Sequence, residues 1–495
     1  MVDFDVIVVG GGNAALCAAL SASESAKRIL VLERAPEEEA GGNSRFTAGL
    51  FRVVYTGPED LKTLIPDLSA EEIANTDFGT YTEEQFLDDM ARLTEYRCDP
   101  DLTEILVKES FPTVKWMRQK GVRFTAAWGR QAFKIGGKFK FWGGLTVEAV
   151  GGGPGLVESE TQLAKKAGIE IWYQARAVAL IADDDGVHGV VVKKAGKTLQ
   201  AKAKAVVLAA GGFQANTEWR TRYMGPGWEL AKVRGTRFNT GDAIEMALDI
   251  GAAAHGNWSG CHAVAWDRNA PETGDLAVGD GFQKHSYPWG VYINAEGKRF
   301  VDEGADFRNY TYAKYGRVIL QQPKQFAWQI FDAKVKQQLR DEYRIKQVTK
   351  ITANTLEELV SKMDDTDQKA ALETLKKYNA AVRTDIPFNP NVKDGRCTEN
   401  LPVNKSNWAN TLDTPPFEAY AVTCGITFSF GGLRINSQTQ VLSSDGEPIA
   451  GLYAAGELVG GIFWFNYPGG SGLTNGAVFG RIAGASAAAA AATKR

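Results

Sequence analysis

Gly10, Gly12 and Ala15 follow an apolar run at residues 5–9, and Glu33 ends a second apolar run about twenty residues further on. Such a set can hold a dinucleotide. Gly10 permits a tight turn, Gly12 lets a pyrophosphate approach the backbone, and Ala15 keeps the next helix close to the sheet. The phosphates would rest on the helix start at Asn13 and Ala14, where unpaired N–H groups and the helix dipole favour negative charge. Glu33 would accept hydrogen bonds from a ribose diol. A sharp turn in a ligand-free α/β fold is the alternative; strand context and the acid together favour the dinucleotide. A second set lies further along. His255, His262 and His285, three of the four histidines, fall in one segment and suit either a shared cleft or structural hydrogen bonding. Arg299 and Arg308 are interspersed with Asp302, Glu303 and Asp306. By themselves these read as surface Arg–carboxylate pairs, since a free arginine stays protonated and is a reluctant base.

The elements that must carry these residues are readable. Residues 5–9 form a strand, small and apolar residues recur at helical spacing through Leu16, Ala19 and Leu20, and residues 28–32 form a second strand. A chain of 495 residues implies two or three domains. With 44% hydrophobic and 23% charged residues the composition is globular, and a net charge of -3 provides no field for nucleic acid or an anionic membrane. An anionic substrate therefore needs a local cluster. Apolar stretches such as residues 206–210 are strand-sized, so no integral membrane segment is expected. Residues 1–5 lead into a strand without a secretory pattern, and Cys17, Cys98, Cys261, Cys397 and Cys424 are scattered and odd in number. Both point to reduced thiols and a cytoplasmic location. No metal centre is expected with so few histidines.

Further segments carry a resemblance. Residues 41–49, Gly-Gly-Asn-Ser-Arg-Phe-Thr-Ala-Gly, residues 206–212, Val-Val-Leu-Ala-Ala-Gly-Gly, and residues 451–457, Gly-Leu-Tyr-Ala-Ala-Gly-Glu, resemble the flavoprotein family of fumarate reductase and succinate dehydrogenase. With the first glycine turn they span nearly the whole chain. The resemblance implies FAD, with Gly42, Asn43, Ser44, Thr47, Ala48 and Gly49 beside the reactive edge of the isoalloxazine ring. It also implies that Glu457, next to Gly456, contacts the ribityl chain. Arg34, Gly153, Ala177, Val178, Ala210, Gly211 and Asp242 are carried over as cofactor contacts. Relatives that attach the flavin covalently use a histidine after the position of Ser44; Arg45 and Phe46 stand there, so the FAD is expected to be non-covalent.

The implied fold class is α/β, a discontinuous Rossmann-like FAD-binding domain with an inserted α+β capping domain. Its expected parts are 1–255 and 421–495 for the FAD-binding domain and 256–420 for the capping, substrate-binding domain. A helical, lysine-rich stretch is expected over residues 333–383, bounded by Pro323 and Pro387. The alanine-rich run 485–492 reads as a helix end or frayed tail. Residues 132–155, with Gly136, Gly137, Gly143 and Gly144, read either as a surface loop or as backbone approaching pyrophosphate or substrate. Arg130, Lys134, Lys138 and Lys140 there read as a solvated basic face.

In the family a histidine just inside the capping domain binds a substrate carboxylate, and His262 occupies that place. His285 lies near a second substrate segment but lacks its glutamate. Residues 297–310 resemble the family's turn-and-acid motif, which makes Arg308 the proton-transfer group, with Arg299 in the same motif. Residues 465–480 contain Gly470, Ser471, Gly472 and Leu473, which resemble the helix start that meets the flavin pyrimidine. Tyr467 stands where fumarate reductases place an arginine, and Thr427 and Phe428 replace their histidine pair, which argues against fumarate or succinate. Together with Lys284-His285-Ser286-Tyr287, these segments are similar to tricarballylate dehydrogenases. The implied reaction is oxidation of a small polycarboxylate, tricarballylate to cis-aconitate, with electrons passed to a separate acceptor because no haem or iron–sulfur motif is present. Two other readings stay open: a ketosteroid-type dehydrogenase using Tyr310, Tyr312 or Tyr467, and a non-catalytic flavin-binding redox protein.

Overall fold

A computed structural model describes residues 3–141 and 144–493. Gly143 and the side chain of Arg130 lie outside the described residues. The chain divides into two units: Met1–Gly225 with Gly235–Cys261 and Thr427–Arg495, and Pro226–Arg234 with His262–Ile426. The first is discontinuous and contains both ends of the dinucleotide signature. The sequence divisions at 255/256 and 420/421 compare with structural divisions at 261/262 and 426/427; residues 226–234 also join the second unit.

In the first unit, strand β1 (Phe4–Val9) pairs in parallel with β2 (Ile29–Leu32) on one side and with Lys197–Leu208 on the other. Glu170–Trp172 and Pro448–Ala454 extend the sheet in parallel at its two sides. Val6, Ile7 and Val8 are fully buried, which explains why β1 is apolar without alternation: helices cover both faces of a parallel sheet. Residues 197–202 of the long strand belong instead to an antiparallel hairpin with Gly186–Lys194. Helix α1 (Asn13–Ala22) packs against the helix Ser471–Thr493. A Cβ at Gly480 would fall 2.4 Å from Ala14 O, and one at Gly484 would fall 2.1 Å from Ala18 O. Glycine at this four-residue spacing therefore lets the two backbones approach. The alanine run 485–492 continues this helix, with Ala487, Ala488 and Ala491 buried.

The second unit is α+β. Its sheet runs Lys232–Val233, Phe417–Leu433, Ala327–Phe331, Val291–Asn294, with Ala254–Asp267 and Lys350–Ala353 also paired to the long strand Phe417–Leu433. Ile293, Trp328, Ile330, Leu375 and Tyr378 form its main core with the helices Leu356–Ser361 and Gln368–Ala381. The stretch 333–383 is therefore not continuously helical. It contains two short 3-10 turns, a strand at Lys350–Ala353 and the two helices. The β-branched residues Ile351 and Thr352 suit the strand paired to residues 417–420, and Thr355 and Asp367 cap helix starts that interrupt a single run. Residues 132–141 likewise form a β-hairpin rather than a loop.

Candidate functional site

The first unit contains a cradle for a dinucleotide. Gly10 has φ +117°, and a Cβ there would lie 2.3 Å from Ala209 O, so only glycine fits where the chain leaves β1. Gly12 caps α1 without a side chain, and the N–H of Asn13 donates to Ser44 Oγ at 3.0 Å. This brings the 42–46 loop to the helix start. Asn13 Nδ2 donates to Leu473 O at 2.9 Å, so two helix starts meet here. Ala14 and Ala15 line the same start, and Gly456 faces the Ala14 side chain.

Glu33 ends β2. Its Oε1 accepts from the N–H of Ala35 at 2.7 Å, and burial pushes its pKa up against the opposing backbone hydrogen bonds of Ala35, Gly41, Arg34 and Gly11. A buried acid in this state is suited to hydroxyl donors. Arg34 Nη1 reaches Thr240 Oγ1 at 2.5 Å and Asp242 Oδ2 at 3.1 Å, and Arg176 Nε reaches the same carboxylate at 2.7 Å. Arg176 neighbours Ala177 and Val178 on the strand Ala175–Asp183, whose first N–H donates to Glu33 O. The carried-over residues Arg34, Ala177, Val178 and Asp242 thus share one side of the cradle.

The loop expected beside the ring is held from both flanks. Asn43 Oδ1 accepts from the N–H of Thr236 at 2.9 Å, while its Nδ2 donates to Thr427 O. Thr47 Oγ1 bonds Ser44 O and the N–H of Gly49, and the N–H of Gly153 donates to Thr47 O, placing Ala48 and Gly49 against the turn at Gly152. Glu457 is buried. Its oxygens accept from the N–H of Ser429 at 3.1 Å and from Gln214 Nε2 and Asn239 Nδ2, each at 3.3 Å. Burial raises its pKa to about 8. Ala210 and Gly211 pass beside Asn239. Gly470, Ser471, Gly472 and Leu473 begin the Ser471–Thr493 helix, and the Tyr467 ring beside them meets Phe428 at 5.2 Å and Phe463 at 5.4 Å.

These residues fit FAD. Gln214 Oε1 and Asn475 Oδ1 are buried acceptors without a hydrogen-bond partner in the protein, and Glu33 and Glu457 are acids that burial makes receptive to hydroxyls. A polyhydroxylated cofactor supplies such donors. Among the described residues no cluster of histidine, cysteine, aspartate or glutamate is arranged to hold a metal ion.

The second unit brings together His262, His285 and Arg308. The Tyr312 ring stands edge-on to both imidazoles, 4.9 Å from each. His285 Nε2 is buried without a hydrogen-bond partner. Burial depresses both histidines well below the usual range; the charges of Arg308, Arg234 and Arg340 add to this at His285, and that of Arg234 at His262. Arg308 is itself pushed down to about 9, by burial and then by Arg340, opposed by Glu342, Tyr287 and Tyr312. Arg234 is paired with Asp280 at 2.6 Å, and Arg340 with Glu342 at 2.7 Å. Tyr287 OH lies 2.6 Å from Thr311 Oγ1.

Three of these residues, Arg234, Arg340 and Glu342, were not singled out by the sequence. They carry no motif and come from distant segments, so only the fold discloses them. Arg299 is placed elsewhere in the second unit: Glu303 and Val403 O engage its guanidinium, and the Tyr378 ring lies 5.2 Å away. The other acids of the motif are also engaged. Glu303 accepts from the N–H of Tyr292, Asp302 accepts from Ser406, and Asp306 lies 3.6 Å from Lys393. His255 belongs to the first unit.

Comparison with known proteins agrees with the FAD-binding fold. The family described as "FAD binding domain" matches residues 5–473. A probable fumarate reductase of Shewanella frigidimarina (strain NCIMB 400) is 29% identical over 492 residues, covering 98% of this chain and 74% of that protein. The open conformation of a flavocytochrome c3 fumarate reductase superposes with a TM-score of 0.73 at 27% identity, covering 99% of this chain and 78% of the other. A 3-ketosteroid Δ1-dehydrogenase from Sterolibacterium denitrificans shares the fold, with a TM-score of 0.74 at 20% identity over 98% of this chain and 99% of the other.

Proposed function

The chain belongs to the FAD binding domain family and is an FAD-dependent oxidoreductase acting on CH–CH bonds, and on that premise we propose that it oxidises a small polycarboxylate of the tricarballylate type to the corresponding alkene. The observation that carries this reading is the second unit's buried cluster, in which the positive charges of Arg308, Arg234 and Arg340 act together on His285 and that of Arg234 on His262. A site where several arginines depress buried imidazoles favours an anionic ligand, and carboxylates meet it with charge-assisted hydrogen bonds.

Gly10, Gly12, Asn13, Glu33, Arg34, Ser44 and Glu457 would hold the FAD, without a covalent link. When bound, FAD supplies a two-electron acceptor for hydride. The second unit supplies the other half of the chemistry. Arg308, depressed to about 9, gives up its proton more readily than a free guanidinium. It takes the proton from the carbon adjacent to the one that loses hydride, and the electron pair of that C–H bond forms the alkene. Arg234, Arg340, His262 and His285 bind and orient carboxylates, and Tyr312 keeps both imidazoles in place. The electron pair then passes to a separate acceptor, and a cytoplasmic location accords with five free cysteines.

One observation favours a second reading. Tyr467 is surrounded by aromatic rings of Phe428 and Phe463, which suit a neutral ring ketone. Anaerobic bleaching of the flavin by a panel of tricarboxylates, dicarboxylates and neutral ring ketones tests both. Bleaching by tricarballylate supports the polycarboxylate reading; bleaching only by ketones replaces it, and no bleaching by any compound favours a non-catalytic redox protein.

A further inference from the structure

Arg52 is a charged residue whose side chain is wholly excluded from solvent in the first unit. Its Nε donates to Gly469 O at 2.8 Å, its own N–H donates to Thr474 Oγ1 at 3.0 Å, and Thr474 Oγ1 donates back to Arg52 O at 2.9 Å. The guanidinium is therefore fixed against the first turn of the Ser471–Thr493 helix. On its other side lie the Tyr81 ring, 5.0 Å from the guanidinium carbon, and Asp89, 3.7 Å from Nη1.

Asp89 does not neutralise Arg52 alone. It also accepts from Tyr81 OH at 2.6 Å and from Arg92 Nη2 at 2.9 Å. One carboxylate is thus shared by two guanidinium groups beside a helix start. Arg92 is 46% exposed and screened by solvent, whereas Arg52 is not. The same helix start is tied through Leu473 O to Asn13, at the start of α1, where the phosphates are expected. FAD held at the start of α1 would have the second helix start as a neighbour, because this bond ties the two together.

We propose that Arg52 sets the reduction potential of the bound flavin, its buried charge adding to the helix dipole to favour the reduced, negatively charged ring. This rests on the reading that residues 470–473 meet the flavin pyrimidine. Arg52 neither gives nor takes a proton. It acts as a positioning residue through Gly469 and as a fixed charge, because a buried charge near the ring acts through a low dielectric. A purely structural clamp would be satisfied by the same hydrogen bonds without any influence on the potential.

The test is an anaerobic redox titration of the flavin-loaded full-length chain against a reference dye. Arg52→Gln should shift the two-electron equilibrium at least tenfold towards the oxidised flavin, about 30 mV more negative. Asp89→Asn, which removes the opposing charge, should shift it severalfold the other way, and Arg52→Lys should stay within threefold of the parent. Opposite signs for the first two variants support the proposal, since general loosening would move both alike. Shifts of the same sign, or an unmoved potential in both, overturn it. Should Arg52→Gln lose its flavin, Asp89→Asn decides: no positive shift overturns the role. A parent enzyme whose reduced flavin is neutral rather than anionic near pH 7 would fail the reading of the helix start, whereas an anionic flavin insensitive to both substitutions would fail Arg52 alone.

Discussion

The guanidinium of Arg299 and the carboxylate of Glu303 form an ion pair inside the second unit, with 4% and 0% of their side chains exposed. Removing one partner leaves the other buried and uncompensated. Arg299→Gln is expected to cost about 3–5 kcal/mol in unfolding free energy, while the folded fraction keeps turnover within about tenfold of the parent. Chemical denaturation combined with kinetics on the folded protein checks both parts; unchanged stability with lost turnover would instead place Arg299 at the reaction.

Arg308 should behave in the opposite way. Arg308→Lys is expected to retain flavin and stability yet lose at least a hundredfold in kcat, since lysine lacks the forked donor geometry. In the parent the base must be neutral, so kcat at saturating substrate, which is free of the proton uptake on binding, should rise with pH towards the alkaline range, about 9, to which burial and Arg340 depress Arg308. A flat profile between pH 6 and 9, in rough terms, would remove Arg308 as the base.

Substrate binding should take up protons. His262 and His285 are held neutral by burial and by neighbouring arginines, and a carboxylate placed against them raises their pKa again. Calorimetry in buffers of different ionisation enthalpy should show net uptake near pH 7 and weaker affinity as pH rises. Release of protons would contradict this assignment.

A Cβ at Gly11 would fall 2.3 Å from Glu33 Oε2. Gly11→Ala should therefore displace the acid rather than strain the turn, weakening FAD at least tenfold, about 1.4 kcal/mol. Equilibrium dialysis of FAD against the variant measures this, and unaltered affinity would separate Glu33 from the cofactor.

Arg45 Nη1 is occupied by Glu38 O at 2.7 Å and Ala40 O at 3.2 Å, and Arg45 and Phe46 rather than a histidine follow Ser44 directly. Acid precipitation should leave all the yellow colour in the supernatant. Flavin absorbance in the washed pellet would show a covalent bond.

Local features of the sequence were the most informative. Gly10 and Glu33 could be read directly because the turn and the acid are set by β1, α1 and β2, all within about thirty residues. Arg299 and Arg308 share one motif, in which only the resemblance made Arg308 the proton-transfer group; the ion pair of Arg299 with Glu303 is decided by packing and left no mark in the sequence. Arg340 and Glu342 sit in the stretch read as helical, where a strand and 3-10 turns form because pairing with residues 417–420 outweighs local preference. Arg52 carried no signal at all, since its partners Asp89 and Gly469 lie far from it along the chain.

The bond from Asn13 to Leu473 joins residues 460 positions apart, and the strand Pro448–Ala454 completes the sheet begun by β1. A ribosome must therefore pass residue 473 before the first glycine turn acquires its final neighbours. Cofactor capture consequently waits for that segment, and products terminated before it leave the translation machinery without their colour.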